Sequence, residues 1–116
     1  FGDILSDLAG EVAGSLGIAP SLNSSETHAM AQASHGSAPD IAGRDISNPI
    51  AMILSSAMLL RWLGAKFDDA DILNAADKVE NAVEKTVVEG TKTPDMGGSA
   101  SCSGFADAVI ANIALV

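Results

Sequence analysis

Apolar residues recur at helical spacing along much of this chain. Ile4, Leu8, Val12 and Leu16 fall four apart, which predicts a helix from Asp3 to Leu16 with one apolar face. Gly14 and Gly17 mark its end. From Ile50 to Leu63 the apolar positions, among them Ile53, Leu54, Ala57, Met58, Leu60 and Trp62, cover most of a helix circumference. That distribution predicts burial on more than one side. Asn48 suits the N-cap of this helix, Pro49 its first position and Gly64 its stop. Ile72, Ala76, Val79, Val83 and Val87 form the stripe of a further helix, from Asp69 to Glu89. Asp77, Glu80, Glu84 and Lys85 lie off the stripe and predict a solvated face. A last helix is expected from Phe105 to about Leu115, capped by Ser103 or Ser101.

Strand signals are weaker. Ile18 to Ser25 has the length of a short strand ending in a turn. Thr27 to Ser34 places Ala29, Ala31 and Ala33 on one side, a strand pattern written in a poor strand former. Two loops remain, His35 to Asn48 and Gly90 to Gly104. The second is rich in Gly, Ser and Thr, but no Gly-Lys-Ser/Thr follows its glycines, so it is not a phosphate loop. No repeat and no internal linker divides the chain, which reads as one unit over residues 1–116.

Composition narrows the function classes. With 116 residues and 47% apolar content the chain can bury a modest core, and with 3% aromatics and no Tyr that core is aliphatic. A net charge of −9 leaves no basic patch, which argues against nucleic acid and against an anionic membrane surface as partners. The nearly uncharged run Pro49 to Leu60 is too short to span a bilayer. Cys102 is the only cysteine, so no intrachain disulfide forms, which fits a reducing intracellular compartment. The start "FGDILSDLAG" lacks both Met and a basic signal region, and the expectation is that further chain lies upstream.

Two constellations carry candidate chemistry. Asp3 and Asp7 stand one helical turn apart, so both carboxylates point to one side. A divalent cation such as Mg²⁺ or Mn²⁺ would relieve their repulsion. Acids in a first helical turn also simply complement the helix dipole. In the His35–Asn48 loop, Gly36, Ser37 and Ala38 let a ligand approach the backbone, and Pro39 fixes the chain before Asp40. A carboxylate held there can accept from both hydroxyls of a ribose and repel a 2′-phosphate, the logic by which sites select NAD over NADP. The same loop is equally compatible with a plain turn bearing an exposed aspartate.

The blocks "FGDILSDLAG", "GSLGIAPS", "HGSAPDIAGRDISNPIAMILSSAMLLRWLG" and "TPDMGGSASCSGFADAV" together resemble the C-terminal part of the β-decarboxylating dehydrogenases, the isocitrate/isopropylmalate dehydrogenase family. The resemblance runs from end to end. It implies an α/β fold with a mixed sheet flanked by helices. It implies that Asp3 and Asp7 hold a Mg²⁺ or Mn²⁺ ion, which in turn chelates the substrate's 2-hydroxyl and carboxylate. It implies that His35, Gly36, Ser37, Ala38, Pro39, Asp40 and Ile41 wrap the adenosine half of the cofactor. Asp40 matches the ribose ligand of NAD-dependent members, Ile41 its apolar neighbour, and Asn48 the asparagine that hydrogen-bonds adenine.

The implied reaction moves a hydride from C2 of a 2-hydroxy acid to the nicotinamide, after which the 3-carboxylate leaves as CO₂, in an enzyme of the cytoplasm or mitochondrial matrix. Partners would be this substrate and a second, related subunit, in a homodimer or hetero-oligomer. Gln32 and Ser34 depart from the family's "EPVHGSAPD" pattern, which puts the nicotinamide side in question. The family's substrate-clamping arginines and its catalytic Lys and Tyr lie upstream, so no catalytic residue is expected in these 116 residues. A regulatory subunit or an inactive truncated member is the alternative. Retention of Asp3, Asp7, His35, Asp40 and Asn48 favours the catalytic one.

Overall fold

A computed structural model of the chain describes Ile4, Leu5, Leu8 and residues 16–115. Ile4, Leu5 and Leu8 are helical and exposed, while Asp3 and Asp7 lie outside the described residues. A 3-10 turn, Leu16–Ile18, leads into an antiparallel hairpin of β1 (Pro20–Ser24) and β2 (Ala29–Ala33). Pro20 pairs with Ala33, Leu22 with Ala31 and Ser24 with Ala29. Ala29, Ala31 and Ala33 point inward and Met30 and Gln32 outward, as the alternation predicts. Three helices follow: α1 (Ile50–Phe67), α2 (Ala70–Val88) and α3 (Cys102–Ile113). The class is α/β. Among the described residues the sheet is this single antiparallel pair, packed on α1.

Helix α1 lies against the hairpin on one side and α2 on another, and after Ile50 its buried positions are all small: Ala51, Ser55, Ala57 and Gly64. Small side chains let both neighbours approach closely. Ser55 joins α1 to the hairpin. Its hydroxyl oxygen accepts from Ser21 N–H (3.1 Å), and its one proton serves Gln32 O (2.9 Å) or Ala51 O (2.7 Å). At 18 residues α1 is long and apolar enough, by length and composition, to cross a membrane. Arg61 and Lys66 sit in its last turns, and it packs against the hairpin and α2 while Met52 and Phe67 stay exposed.

Helix α1 does not stop at Gly64. It runs on to Phe67 and ends where Asp68 adopts φ +50°, donating its N–H to Gly64 O. A terminal glycine is chosen for left-handed backbone, and here Asp68 supplies it. Gly64 is instead a crossing point. A Cβ there would stand 2.8 Å from Leu73 Cγ and 3.0 Å from Leu73 N. Asp69 caps α2 by accepting from Asp71 N–H (3.0 Å) and Ile72 N–H (3.2 Å). The predicted solvated face of α2 is partly paired: Arg61 of α1 reaches Asp77 (2.8 Å) and Glu80 (2.7 Å). Helix α3 begins at Cys102, three residues before the expected Phe105, because Ser101 Oγ accepts from Gly104 N–H at 3.0 Å.

The core gathers Ile50, Ala82, Val83, Phe105 and Val109 from the three helices. A buried polar link crosses it: Asn112 Nδ2 donates to Thr86 Oγ1 (2.9 Å) and to Glu89 Oε2 (3.0 Å). This link holds the C-terminal end of α3, while its N-terminus is held to the His35–Asn48 loop by Asp45.

Candidate cofactor site

The loop between β2 and α1 is shaped by two short-range devices. His35 Nδ1 lies 2.8 Å from Gly36 O. A carbonyl only accepts, so Nδ1 carries the proton and Nε2 of the neutral ring is an acceptor. Pro39 disfavours right-handed helical backbone at Ala38, and Ala38 takes the left-handed region at φ +41°. For a residue with a Cβ that costs about 1–2 kcal/mol. The turn Pro39–Ile41 closes through Ile41 N–H to Ala38 O (3.1 Å), leaving Asp40 exposed and Ile41 turned back under cover.

The second half of the loop is held from far along the chain. Asp45, at φ +53°, accepts from Cys102 N–H through its carbonyl (2.8 Å) and from Ser103 N–H (2.9 Å) and Ser103 Oγ (2.5 Å) through its carboxylate. It thus caps α3 together with Ser101. The Ser103 hydroxyl first, and then the Ser103 N–H, hold the Asp45 carboxyl below the ordinary carboxylate range. A depressed folded-state value means the unfolded chain binds the proton more tightly. The resulting stabilisation is complete above the ordinary carboxylate value and is lost as pH falls through the depressed one. Asp45→Asn is therefore expected to flatten the acid limb of the stability–pH curve below about pH 4. Urea midpoints measured down that limb check this; an unaltered slope would discount the clamp.

Asn48 is buried and both ends of its amide are engaged. Oδ1, one position before the Pro49 that caps α1, accepts from the N–H of Ile50 (3.0 Å), the first residue of the helix, and Nδ2 donates to Asp95 Oδ2 (3.0 Å). Asp95 is steadied by Thr93 Oγ1, 2.5 Å from its Oδ1.

These elements line an open cleft of about 920 Å³, near the upper end of small-ligand clefts. His35, Gly36, Ser37, Ala38, Ile41 and Asn48 line it together. Pro39 and Asp40 do not; they form the exposed outer side of the turn between Ala38 and Ile41. Gly17, Asp45, Asp95 and Cys102 also line it, and sequence reasoning missed them because their contacts to the loop are non-local. Among the described residues the lining holds no Lys or Arg. A Cβ at Gly36 would meet nothing within 4 Å, so the main chain there faces open space. The cradle therefore fits a ligand lying against backbone. Among the described residues no group of three or more His, Cys, Asp or Glu is placed to hold a metal ion.

The model of the isocitrate/isopropylmalate dehydrogenase family matches residues 1–109. The chain belongs to that family. It is 50% identical over 110 residues to the isocitrate/homoisocitrate dehydrogenase of Thermus thermophilus, covering 95% of this chain and 31% of the relative. It is 48% identical over 115 residues to a mitochondrial regulatory subunit of the NAD isocitrate dehydrogenase of Dictyostelium discoideum, covering 97% of this chain and 30% of that one. The crystal structure of isocitrate dehydrogenase from Methylococcus capsulatus matches it with TM-score 0.84 and 37% identity, over 97% of this chain and 32% of that one. The fold is thus isocitrate dehydrogenase-like, and the chain spans about a third of the length of the relatives it matches, 31% in the Thermus thermophilus case.

Proposed function

We propose that this dehydrogenase chain supplies the adenosine end of an NAD site, and two carboxylates of a Mg²⁺ or Mn²⁺ site, to an enzyme that oxidatively decarboxylates a 2-hydroxy acid bearing a 3-carboxylate. Isocitrate and 3-isopropylmalate exemplify the substrate class. The observation that carries this is the convergence of His35, Gly36, Ser37, Ala38, Ile41 and Asn48 on one cavity. The Asp40 carboxylate on the outer side of the turn supports NAD over its 2′-phosphorylated form, since it would repel the added phosphate. Asp40, on the outer side of the turn, is where a ribose leaving the cavity over Ala38 and Ile41 would meet a carboxylate.

When bound, NAD⁺ accepts the hydride and the divalent ion polarises the C2 oxygen. The chain's own residues bind and orient. His35 offers Nε2, the Gly36–Ala38 backbone lies open to the ligand, and Asp40 accepts from ribose hydroxyls. Asp3 and Asp7 are assigned by the family pattern, since they lie outside the described residues. The catalytic groups belong to other parts of the whole protein, so the chain alone is expected to be inert. A homodimer or hetero-oligomer of related subunits completes the reading. The similarity to a regulatory subunit supports a second reading, a binding subunit without turnover.

The experiment is metal and cofactor titration of the intact protein. Mn²⁺ binding followed by loss of its free-ion paramagnetic resonance signal should weaken roughly tenfold in Asp7→Asn, as expected for removal of a metal ligand. Unchanged Mn²⁺ affinity would remove Asp7 from the site. NAD⁺ binding without turnover in the intact protein would favour the regulatory reading.

A further inference from the structure

The Asn48 amide has two chemically opposite ends, and which end faces where is decided by its neighbours. Ile50 N–H can only donate, so it requires Oδ1. The Asp95 carboxylate can only accept, so it requires Nδ2. Together they admit one orientation of the amide and forbid its flip. Asp95 comes from a loop 47 residues away, and that loop is itself tied down. Thr93 is fully buried, its hydroxyl donates to Asp95, and its carbonyl accepts from both Met96 N–H (3.0 Å) and Gly98 N–H (3.0 Å). Both Asn48 and Asp95 line the cavity.

We infer that Asp95 is a positioning residue for cofactor recognition: by locking the Asn48 amide it sets the donor and acceptor edge that Asn48 turns toward the base. The inference rests on the assignment of this cavity to the adenosine half of NAD. With one Nδ2 proton and Oδ1 engaged, Asn48 offers the ligand its remaining Nδ2 proton, as donor to a ring nitrogen, and its main-chain carbonyl, as acceptor from the adenine amino group, in a fixed geometry. Loss of Asp95 leaves the amide held by Ile50 N–H alone, so its tilt, and the placement of the Asn48 main chain beside it, are no longer fixed from the second loop. Discrimination at the base edge should then fall, while groups at the nicotinamide end are untouched.

The test is calorimetric titration of the intact protein with NAD⁺ and with its hypoxanthine analogue, in which a carbonyl replaces the adenine amino group and the base edge changes from donor to acceptor. The unaltered protein is expected to bind NAD⁺ the more tightly. Asp95→Ala should weaken NAD⁺ about tenfold and erase most of that preference, with kcat at saturating NAD⁺ within about twofold. Asp95→Asn should restore most of the preference, since its amide oxygen accepts from Asn48 while its NH₂ donates to the Thr93 hydroxyl. In an Asn48→Ala background, Asp95→Ala should add little. If Asp95→Ala fails to fold, Thr93→Val, which removes only the hydroxyl steadying Asp95, should show the same loss of preference at smaller amplitude. A variant that lowers Tm yet keeps the wild-type ratio of affinities, or weakens both cofactors equally, overturns the role given to Asp95. Failure of the unaltered protein to bind NAD⁺ at all overturns the cavity assignment and this inference with it.

Discussion

Asp40→Lys combined with Ile41→Tyr is expected to lower kcat/KM for NAD⁺ roughly a hundredfold in the intact enzyme and to raise it for NADP⁺. Asp40 is exposed on the Pro39–Ile41 turn and makes no side-chain hydrogen bond or ion pair among the described residues. Its replacement therefore breaks nothing internal, and the effect reports on the ligand. Two hydrogen bonds from ribose hydroxyls to an ionised carboxylate contribute about 1.5–3 kcal/mol each. Losing the pair gives a hundredfold at the lower bound, because every 1.4 kcal/mol is about tenfold. A lysine at the same place attracts a 2′-phosphate, and a tyrosine at 41 adds a hydroxyl and a flat face to a cavity lining without cations among the described residues. Steady-state kinetics with both cofactors checks the result. An unchanged kcat/KM for NAD⁺ would mean that Asp40 does not touch the cofactor.

The second large effect is on stability. Gly98→Ala would drive a Cβ into Lys92 O and to 2.5 Å from Lys92 C. Both are main-chain atoms, so no rotamer change relieves the overlap. The strands of the loop must part, and with them the bonds Ala100 N–H to Lys92 O (2.9 Å) and Gly98 N–H to Thr93 O (3.0 Å). Overpacking ordinarily costs about 1–3 kcal/mol, and backbone overlap puts this substitution near the top, about 3 kcal/mol. Gly97→Ala is the control. Its φ of +79° strains an alanine, but the added Cβ meets nothing within 4 Å, so about 1 kcal/mol is expected. Urea unfolding of the two variants separates the cases; equal losses would mean that close approach at Gly98 is not what matters.

What the sequence made legible was local. The start of α2 at about Asp69, the apolar stripe through Ala76 and Val83, and the alternating alanines of β2 each follow from neighbours within a few residues. What it hid was tertiary. Gly64 read as a helix stop because glycine favours left-handed backbone, yet its use is to let Leu73 approach, and Leu73 belongs to another helix. Asn48 read as the cap and Pro49 as the first helical residue, yet Pro49 takes the cap position and Asn48, one residue earlier, accepts from Ile50 N–H; its bond to Asp95 has no local signal. Asp45 carries no periodic or motif signature; its partner Ser103 is 58 residues on. The "TPDMGGSASCSG" segment, taken as a plain loop, turns out to be a wall of the cavity through Asp95 and Cys102. The carboxylates Asp3 and Asp7 are readable only from the family's pattern.

The pair of cross-ties from the His35–Asn48 loop, Asp45 to Ser103 and Asn48 to Asp95, limits how far that loop can be moved on its own. A segment such as "HGSAPDIAG" looks portable because it is contiguous and rich in small residues. Its shape is not its own. Ala38 and Asp45 both sit in strained left-handed backbone, and at Asp45 the hold comes from the second loop. Grafted alone into another scaffold, the motif would carry its letters and lose its curvature. The two loops moved together are expected to keep the shape that either alone would lose.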